Sequence, residues 1–464
     1  MYTLCLDCGA TNVRAMLVDE KGGIIAKASR ANSTDTGAED ASYHVWNVER
    51  ILSQLAECSR EITAQVNASQ VCAVTITTFG VDGALVDAEG QLLYPVISWK
   101  CPRTAEVMKR IGDYMPQRRL NALSGVGEFA FNTLYKLIWL RENRPELVEK
   151  AHAWLFISNI LAHRLTGVMA TDRTMAGTSQ MTNLSTGDWA DEILGAIGIS
   201  RTLFPPMVEA GQVIGHLTPA AAALLGLPED SGAPVVSAGH DTQFALFGSG
   251  VQENQPFLSS GTWEILMLRT AHAHLDAEDY AAGATVELDS KSGLLNPGLQ
   301  WIGSGIIEWV RDTCYRGESY DTMDAEAAAI PPGCEGVSLS PDFLPSDPTP
   351  GSISGLILGR TRGHIYRAAM EALTRRLKQR LEKLEKVGGF KATELLLVGG
   401  GARNKIWTQM RADMLGIPIR ISKVSESTVL GAAMYAFAGA GVYASPEACR
   451  EAFGLEYDSI LPQP

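Results

Sequence analysis

The sequence predicts an α/β protein of two domains, and three stretches predict it. Each is an apolar strand that runs into a turn of glycine and small polar residues. The first is Leu4-Cys5-Leu6-Asp7-Cys8-Gly9-Ala10-Thr11-Asn12-Val13-Arg14. The second is Pro234-Val235-Val236-Ser237, followed by Gly239-His240-Asp241-Thr242-Gln243 and an apolar run. The third is Glu394-Leu395-Leu396-Leu397-Val398, feeding Gly399-Gly400-Gly401-Ala402-Arg403-Asn404, after which Ile406, Met410 and Met414 recur at helical spacing. A strand, a glycine turn and a helix in that order bring a helix N-terminus to an anion or a nucleotide.

In chain order, strands are expected around residues 3–8, 13–19, 24–28, 71–77 and 84–87, with hairpin turns at Glu20-Lys21-Gly22-Gly23 and Asp87-Ala88-Glu89-Gly90. Helices are expected at 133–143 and 154–166, inside a mainly helical stretch from 105 to 230 in which Leu134, Leu137, Ile138 and Leu140 mark one face. The polar linker Val251-Gln252-Glu253-Asn254-Gln255-Pro256 separates a domain over 1–248 from one over 249–464. The second domain opens with Phe257-Leu258-Ser259-Ser260-Gly261-Thr262-Trp263. It continues to a long charged helix from Tyr366 to Lys386, the strand at 394–398, the glycine loop and two closing helices. Arg367, Arg375, Arg376, Lys378 and Arg380 on the long helix interleave with Glu371, Glu382 and Glu385, so a solvated face is expected there. Each half opens with strand, polar glycine turn and strand, at 3–19 and 234–268, a weak internal symmetry.

The 464 residues suffice for two or three cores, and 46% hydrophobic with 20% charged residues is an ordinary globular balance. A net charge of −13 argues against nucleic acid or an anionic membrane as partner, so positive charge for a phosphate ligand has to be local. No run of about 18 apolar residues occurs, and Met1 leads straight into a strand, so a cytoplasmic location is expected. The eight scattered cysteines suit reduced thiols. Cys5 and Cys8 lie three apart on a strand and point to opposite faces, which suits core packing better than zinc. Self-association is left open.

Several residues carry phosphate chemistry. Gly9 and Ala10 let backbone N–H groups approach an anion, Thr11 and Asn12 add side-chain donors, Arg14 adds charge, and Asp7 suits a hydrated Mg²⁺. The same Asp-x-Gly-x-Thr pattern also closes ordinary hairpins. No Gly-x-x-x-x-Gly-Lys-Ser/Thr occurs, and Asn404 stands where a third glycine of Gly-x-Gly-x-x-Gly would be, which disfavours P-loop and Rossmann assignments.

Thr77-Thr78-Phe79-Gly80-Val81-Asp82-Gly83-Ala84, Gly239-His240-Asp241-Thr242-Gln243, Ser259-Ser260-Gly261-Thr262-Trp263-Glu264, the triple glycine and Ser427-Thr428-Val429-Leu430-Gly431-Ala432-Ala433 together resemble the FGGY carbohydrate kinase family, within the actin-like ATPase superfamily. The resemblance runs from Asp7 to the helix after Ser427. It implies two actin-like (ribonuclease-H-like) domains flanking an ATP/sugar cleft, with the sugar held mostly by the first and adenine by the second. It implies a small-molecule sugar substrate, with ATP and Mg²⁺ as cofactors. The expected reaction is phosphoryl transfer to the C1 hydroxyl of L-fuculose, the alternatives being a related ketose such as L-rhamnulose or D-ribulose, or a non-kinase actin-like ATPase.

In that light Asp241 is the expected base, although an acid so placed also caps helices. Gly80, Val81 and Asp82 should wall the sugar pocket with His240 and Thr242, and Asn296 matches a sugar-contacting position of a sister branch. Read without the resemblance, Gly80 to Gly83 is a hairpin turn and Asn296 before Pro297 a turn. Ser260, Gly261 and Thr262 should approach the terminal phosphates, and Gly400 and Gly401, before Asn404, the adenine and ribose. One departure stands out: many relatives carry Trp-x-Asp-x-Arg where this chain has Trp99-Lys100-Cys101-Pro102-Arg103, so no acidic role transfers to Cys101.

Overall fold

The computed structural model describes residues 1–344 and 349–463, which form two compact units. The first contains Met1–Gly250 and takes back two later segments, Thr285–Leu295 and Glu426–Leu455. Apart from those two segments, the boundary between the units falls near residue 250. The helix Ser427–Gly439, expected to close the second domain, is part of the first unit.

The first unit is built on six strands: β1 (Tyr2–Cys8), β2 (Asn12–Asp19), β3 (Ile24–Ala31), β4 (Val71–Thr78), β5 (Val213–His216) and β6 (Pro234–His240). Their order across the sheet is β5-β6-β4-β1-β2-β3. β1, β4 and β6 are mutually parallel, while β2, β3 and β5 run antiparallel to their neighbours. β1 is central and buried on both faces at Leu4, Cys5, Leu6 and Cys8, hence its unbroken apolar run. β3 lies at the edge and alternates, with Ala26 and Ala28 inward and Lys27 outward. The amphipathic helix Val48–Thr63, capped by the Asn47 side chain, buries Val48, Ile51, Leu55 and Ile62. Helix Ser427–Gly439 is apolar nearly all round, and its Ala436 packs with Ala73 of β4 and Val236 of β6.

Sequence periodicity misplaced three features. The expected helix at 154–166 starts at Ile157, because Ala153–Phe156 is a buried strand paired with Gly83–Val86; Trp154 and Phe156 favour that pleated surface. Pro234–His240 is not half of a hairpin but a central parallel strand of the first sheet. The counterpart of the β1–β2 hairpin lies later, in β7 (Phe257–Ser260) and β8 (Trp263–Met267). Finally, the long helix Arg362–Gly388 is not simply solvated: Arg367 bonds Glu371, Arg376 bonds Asp342, and a buried stripe runs through Leu373, Leu377, Leu381 and Leu384.

The second unit adds β9 (Leu295–Ile302), β10 (Leu395–Val398), β11 (Ile419–Ser422) and β12 (Tyr457–Ile460). In the order β9-β8-β7-β10-β11-β12 they are six neighbouring strands of a seven-stranded sheet, in which β7, β10 and β11 are parallel while β8, β9 and β12 run antiparallel to their neighbours. These six strands repeat the pairing pattern of the first sheet. All eight cysteines are free, and burial pushes the Cys5 thiol up to about 12. Among the described residues no helix is long and apolar enough to cross a membrane.

Candidate active site

The polar residues of the first unit converge because its three parallel strands end level: Cys8 pairs with Thr78, and Thr78 with His240. Ligands bind outside the carboxyl ends of parallel strands, where backbone groups leave the ladder. Asp7 lies one residue inside this edge and is almost fully buried. It accepts hydrogen bonds from Arg14 Nε (2.9 Å) and Nη2 on the facing strand, and from Thr77 Oγ1 (3.1 Å). Arg14 also donates to Glu426 Oε2 at 2.7 Å. The Gly9 N–H donates to the Asn12 carbonyl (2.9 Å) to close the turn, leaving Thr11 and Asn12 exposed and Ala10 half-buried.

Asp241 stands at the end of β6, and Gly239 makes that placement possible. Its φ is +50°, and a Cβ there would lie 2.0 Å from Asp172 Oδ1. Asp172 is in turn fixed by the N–H groups of Thr174 (2.8 Å) and Met175 (3.1 Å) and by the hydroxyls of Thr174 and Ser237. Thr174 Oγ1 accepts the His240 N–H at 2.9 Å. Asp241 is the first residue of the helix Asp241–Gly248 but does not cap it; the capping position is His240, without a side-chain bond. The Asp241 carboxylate is 32% exposed and accepts hydrogen bonds from Thr242, from its hydroxyl at 3.2 Å and from its backbone N–H. Burial raises its pKa, the nearby Asp7 charge adds to the rise, and His240 opposes it. It is a partly exposed carboxylate with raised basicity.

Among the described residues no cluster of three His, Cys, Asp or Glu side chains could hold a metal. The Asp7 carboxylate at the strand edge nevertheless suits Mg²⁺, which takes one or two carboxylates and keeps waters and substrate phosphates for the rest.

Two sequence-predicted sugar contacts are corrected. Asp82 is completely buried: Lys136 Nζ pairs with Oδ1, while Oδ2 accepts the Trp46 indole N–H (2.6 Å) and the Trp99 N–H (3.0 Å). Its acceptors are occupied by protein, so it organises the turn. Gly80 and Val81 are buried with it, Val81 at φ 66°, and Gly80 lies against the His240 ring. Asn296 is likewise fully buried, inside strand β9 rather than a turn, and donates to the Leu268 carbonyl at 3.0 Å. At the departure from the family pattern, Cys101 Sγ receives Arg103 Nε at 3.1 Å, and the Arg103 guanidinium stacks 3.9 Å from the Tyr43 ring.

The second unit presents a cavity of about 440 Å³, a size suited to a nucleotide fragment. Gly261, Thr262, Gly400, Gly401, Arg403 and Asn404 line it together with Tyr320, Asp321, Asp324 and Trp407. Gly401 is dictated by contact: a Cβ would fall 2.1 Å from Ser260 Oγ. Ser260 itself is buried, bonded to Glu264 (2.9 Å) and Arg411 (3.0 Å), so it supports the loop while Gly261 and Thr262 reach the cavity. Glu264 and Arg411 form a second fully buried ion pair, with Trp301 Nε1 on Glu264 at 2.9 Å. Asn404 Oδ1 caps the helix Lys405–Leu415, and its amide donates to Asp324 (3.0 Å) and Tyr366 (2.8 Å).

Lys136, Asp172, Glu287, Arg411 and Glu426 escaped sequence reading, because each serves a group distant in sequence.

Comparison with known proteins agrees with this architecture. Residues 2–248 match the N-terminal domain, and residues 257–440 the C-terminal domain, of the FGGY family of carbohydrate kinases. The chain belongs to that family. It is 53% identical over 461 residues to an L-fuculokinase of Salmonella typhi, covering 99% of this chain and 97% of that one. It is 44% identical over 470 residues to an L-fuculokinase of Haemophilus influenzae, covering 99% of each. The crystal structure of xylulose kinase from Rhodospirillum rubrum shares the fold with a TM-score of 0.90 at 22% identity, covering 100% of this chain and 95% of that one.

The Asp82–Lys136 pair yields a stability test. Lys136→Met strands a buried carboxylate and should cost about 3–5 kcal/mol, whereas Asp82→Asn combined with Lys136→Met should recover most of that loss. Urea unfolding midpoints measure both, and a single-variant cost below about 1 kcal/mol would contradict the pairing.

Proposed function

We propose that the chain transfers the γ-phosphoryl group of ATP to the C1 hydroxyl of L-fuculose, giving L-fuculose 1-phosphate and ADP. The observation that carries this reading is similarity along nearly the whole chain to relatives named L-fuculokinase, at 44 to 53% identity. The site chemistry is compatible with it. Phosphoryl transfer to an alcohol needs a base for the hydroxyl proton, neutralisation of phosphate charge and alignment of the two reactants.

Asp241 takes the role of base: it is exposed enough to meet a hydroxyl, spends no oxygen on capping, and has raised proton affinity. His240 and Thr242, beside it, orient the sugar. Gly9, its N–H bonded to the Asn12 carbonyl, shapes the turn from which Ala10, Thr11 and Asn12 offer donors and Arg14 offers charge to the phosphates. Asp7 would hold Mg²⁺, which supplies charge neutralisation on the β- and γ-phosphates. In the second unit, Gly261 and Thr262 serve the terminal phosphates, while Gly400, Gly401 and Asn404 line the space for adenosine. A cytoplasmic location belongs to the same reading and is supported by the free cysteines.

An ADP-release assay over a panel of ketoses tests the substrate. L-fuculose should give the highest kcat/KM, ahead of its C4 epimer L-rhamnulose. Both share the C1 hydroxyl and C6 methyl, so discrimination rests on one hydroxyl, worth about 1–3 kcal/mol when a buried polar group is left unpaired. That corresponds to roughly ten- to a hundredfold. Equal turnover of L-rhamnulose would refute the choice of sugar while leaving the ketose kinase intact.

Asp241→Asn should lower kcat by about 10²–10⁴-fold with sugar and ATP affinity nearly unchanged. Near-normal kcat would remove Asp241 from the mechanism. Asp7→Ala should be inactive and only weakly rescued by excess Mg²⁺, and activity of the parent chain that survives a chelator would exclude the metal role.

A further inference from the structure

His240 lies between two carboxylates. Its Nε2 is 3.5 Å from Asp241 Oδ1, and its Nδ1 is 3.5 Å from Glu287 Oε2. Glu287 belongs to the strand Thr285–Leu288, in one of the segments that return to the first unit, and Gln243 Nε2 holds its Oε2 at 2.8 Å. The rest of the ring's surroundings allows little movement. The His240 N–H is tied to Thr174 Oγ1, and Gly80 has so little room that a Cβ would lie 3.1 Å from Nε2. The result is a row, Glu287–His240–Asp241, ending at the carboxylate assigned as base.

We propose that Glu287 is a positioning residue for phosphoryl transfer: it keeps the His240 ring in place as an imidazolium, which in turn holds Asp241 ionised and oriented toward the sugar hydroxyl. The inference rests on Asp241 as the base. In this arrangement the hydroxyl proton passes to Asp241, the hydroxyl oxygen forms the new bond to phosphorus as the bond to ADP breaks, and His240 keeps its proton throughout. Glu287 touches no reacting atom.

The charged groups facing the ring come from several elements. Asp241 faces it from its own helix, Glu287 from the returning strand, and Asp172 from the turn that fixes Gly239, while Asp7 on β1 acts on Asp241. The Cys8 thiol, also near Asp241, is pushed up by burial and stays neutral. Burial of His240 works against protonation, but Glu287, Asp241 and Asp172 outweigh it and raise the pKa above the usual histidine value. The imidazolium is present below that raised pKa and lost as pH climbs through it, so the loss appears as an alkaline limb in turnover.

Glu287→Gln keeps the shape and removes the charge. The His240 pKa should fall by about one unit, and the alkaline limb of kcat should move down with it, while the sugar KM at low pH stays nearly constant. NMR titration of imidazole-labelled full-length chain reads the pKa without turnover, with His240→Gln identifying the resonance among eight histidines. Should Glu287→Gln fold poorly, Gln243→Met releases Glu287 from its 2.8 Å bond and should shift both readouts in the same direction. An unchanged His240 pKa, or a shifted pKa with an unmoved kcat profile, overturns the proposal. Failure of Asp241 as base is distinguished by Asp241→Asn retaining turnover while the NMR shift persists.

Discussion

Three parallel strands ending at one level are the constraint on which the first unit's site depends. β1, β4 and β6 deliver Asp7, the turn beyond Thr78, and His240 with Asp241 to the same edge through main-chain hydrogen bonds alone. A slip of one residue in any of them would turn Asp7 or Asp241 to the opposite face, because side chains alternate with a period of two. The apolar filling of Leu4, Leu6, Val74, Ile76, Val235 and their neighbours makes such a slip expensive. The second sheet repeats the arrangement, with Ser259 paired to Val398 immediately before the two loops that line the cavity.

Behind each set of loops stands a buried ion pair with a tryptophan on it: Asp82 with Lys136 and the Trp46 indole, Glu264 with Arg411 and the Trp301 indole. Such pairs are weak contributors to net stability, because desolvation offsets attraction. Their directional bonds restrain backbone that packing alone would leave loose. Lys136 also bonds the Val81 carbonyl at 3.0 Å, and Arg411 bonds Ser260, so both cations reach the turn itself.

Much of the fold was legible because its strands follow simple rules. The continuous apolar run of β1, the hairpin at Gly22-Gly23 and the strand-to-glycine passage at Val398 all carry local signals. The strand Ala153–Phe156 was missed because a short apolar run flanked by a helix has no distinguishing period. At the site, glycine-rich turns announced Asp7, Asp241 and the triple-glycine loop, whereas Glu287 and Lys136 serve partners 47 and 54 residues away and leave no local trace. The motif around Asp82 stands out in the sequence, but sequence does not tell a carboxylate facing a ligand from one already satisfied by Lys136, Trp46 and Trp99. Asn296 is a similar case, since its burial in β9 is a tertiary fact.

The interrupted chain path of both units has a consequence for synthesis. The first sheet cannot cover the faces of Ala73 and Val236 until the helix Ser427–Gly439 has been made, and the second sheet lacks its edge strand until Tyr457–Ile460 emerges. Domains usually fold as units in the order of translation, the N-terminal one first. Here the ribosome has to deliver nearly the whole polypeptide before either core is complete. Through most of its elongation, the nascent chain carries unfinished apolar surface from both units, and that interval is when it most needs chaperone cover.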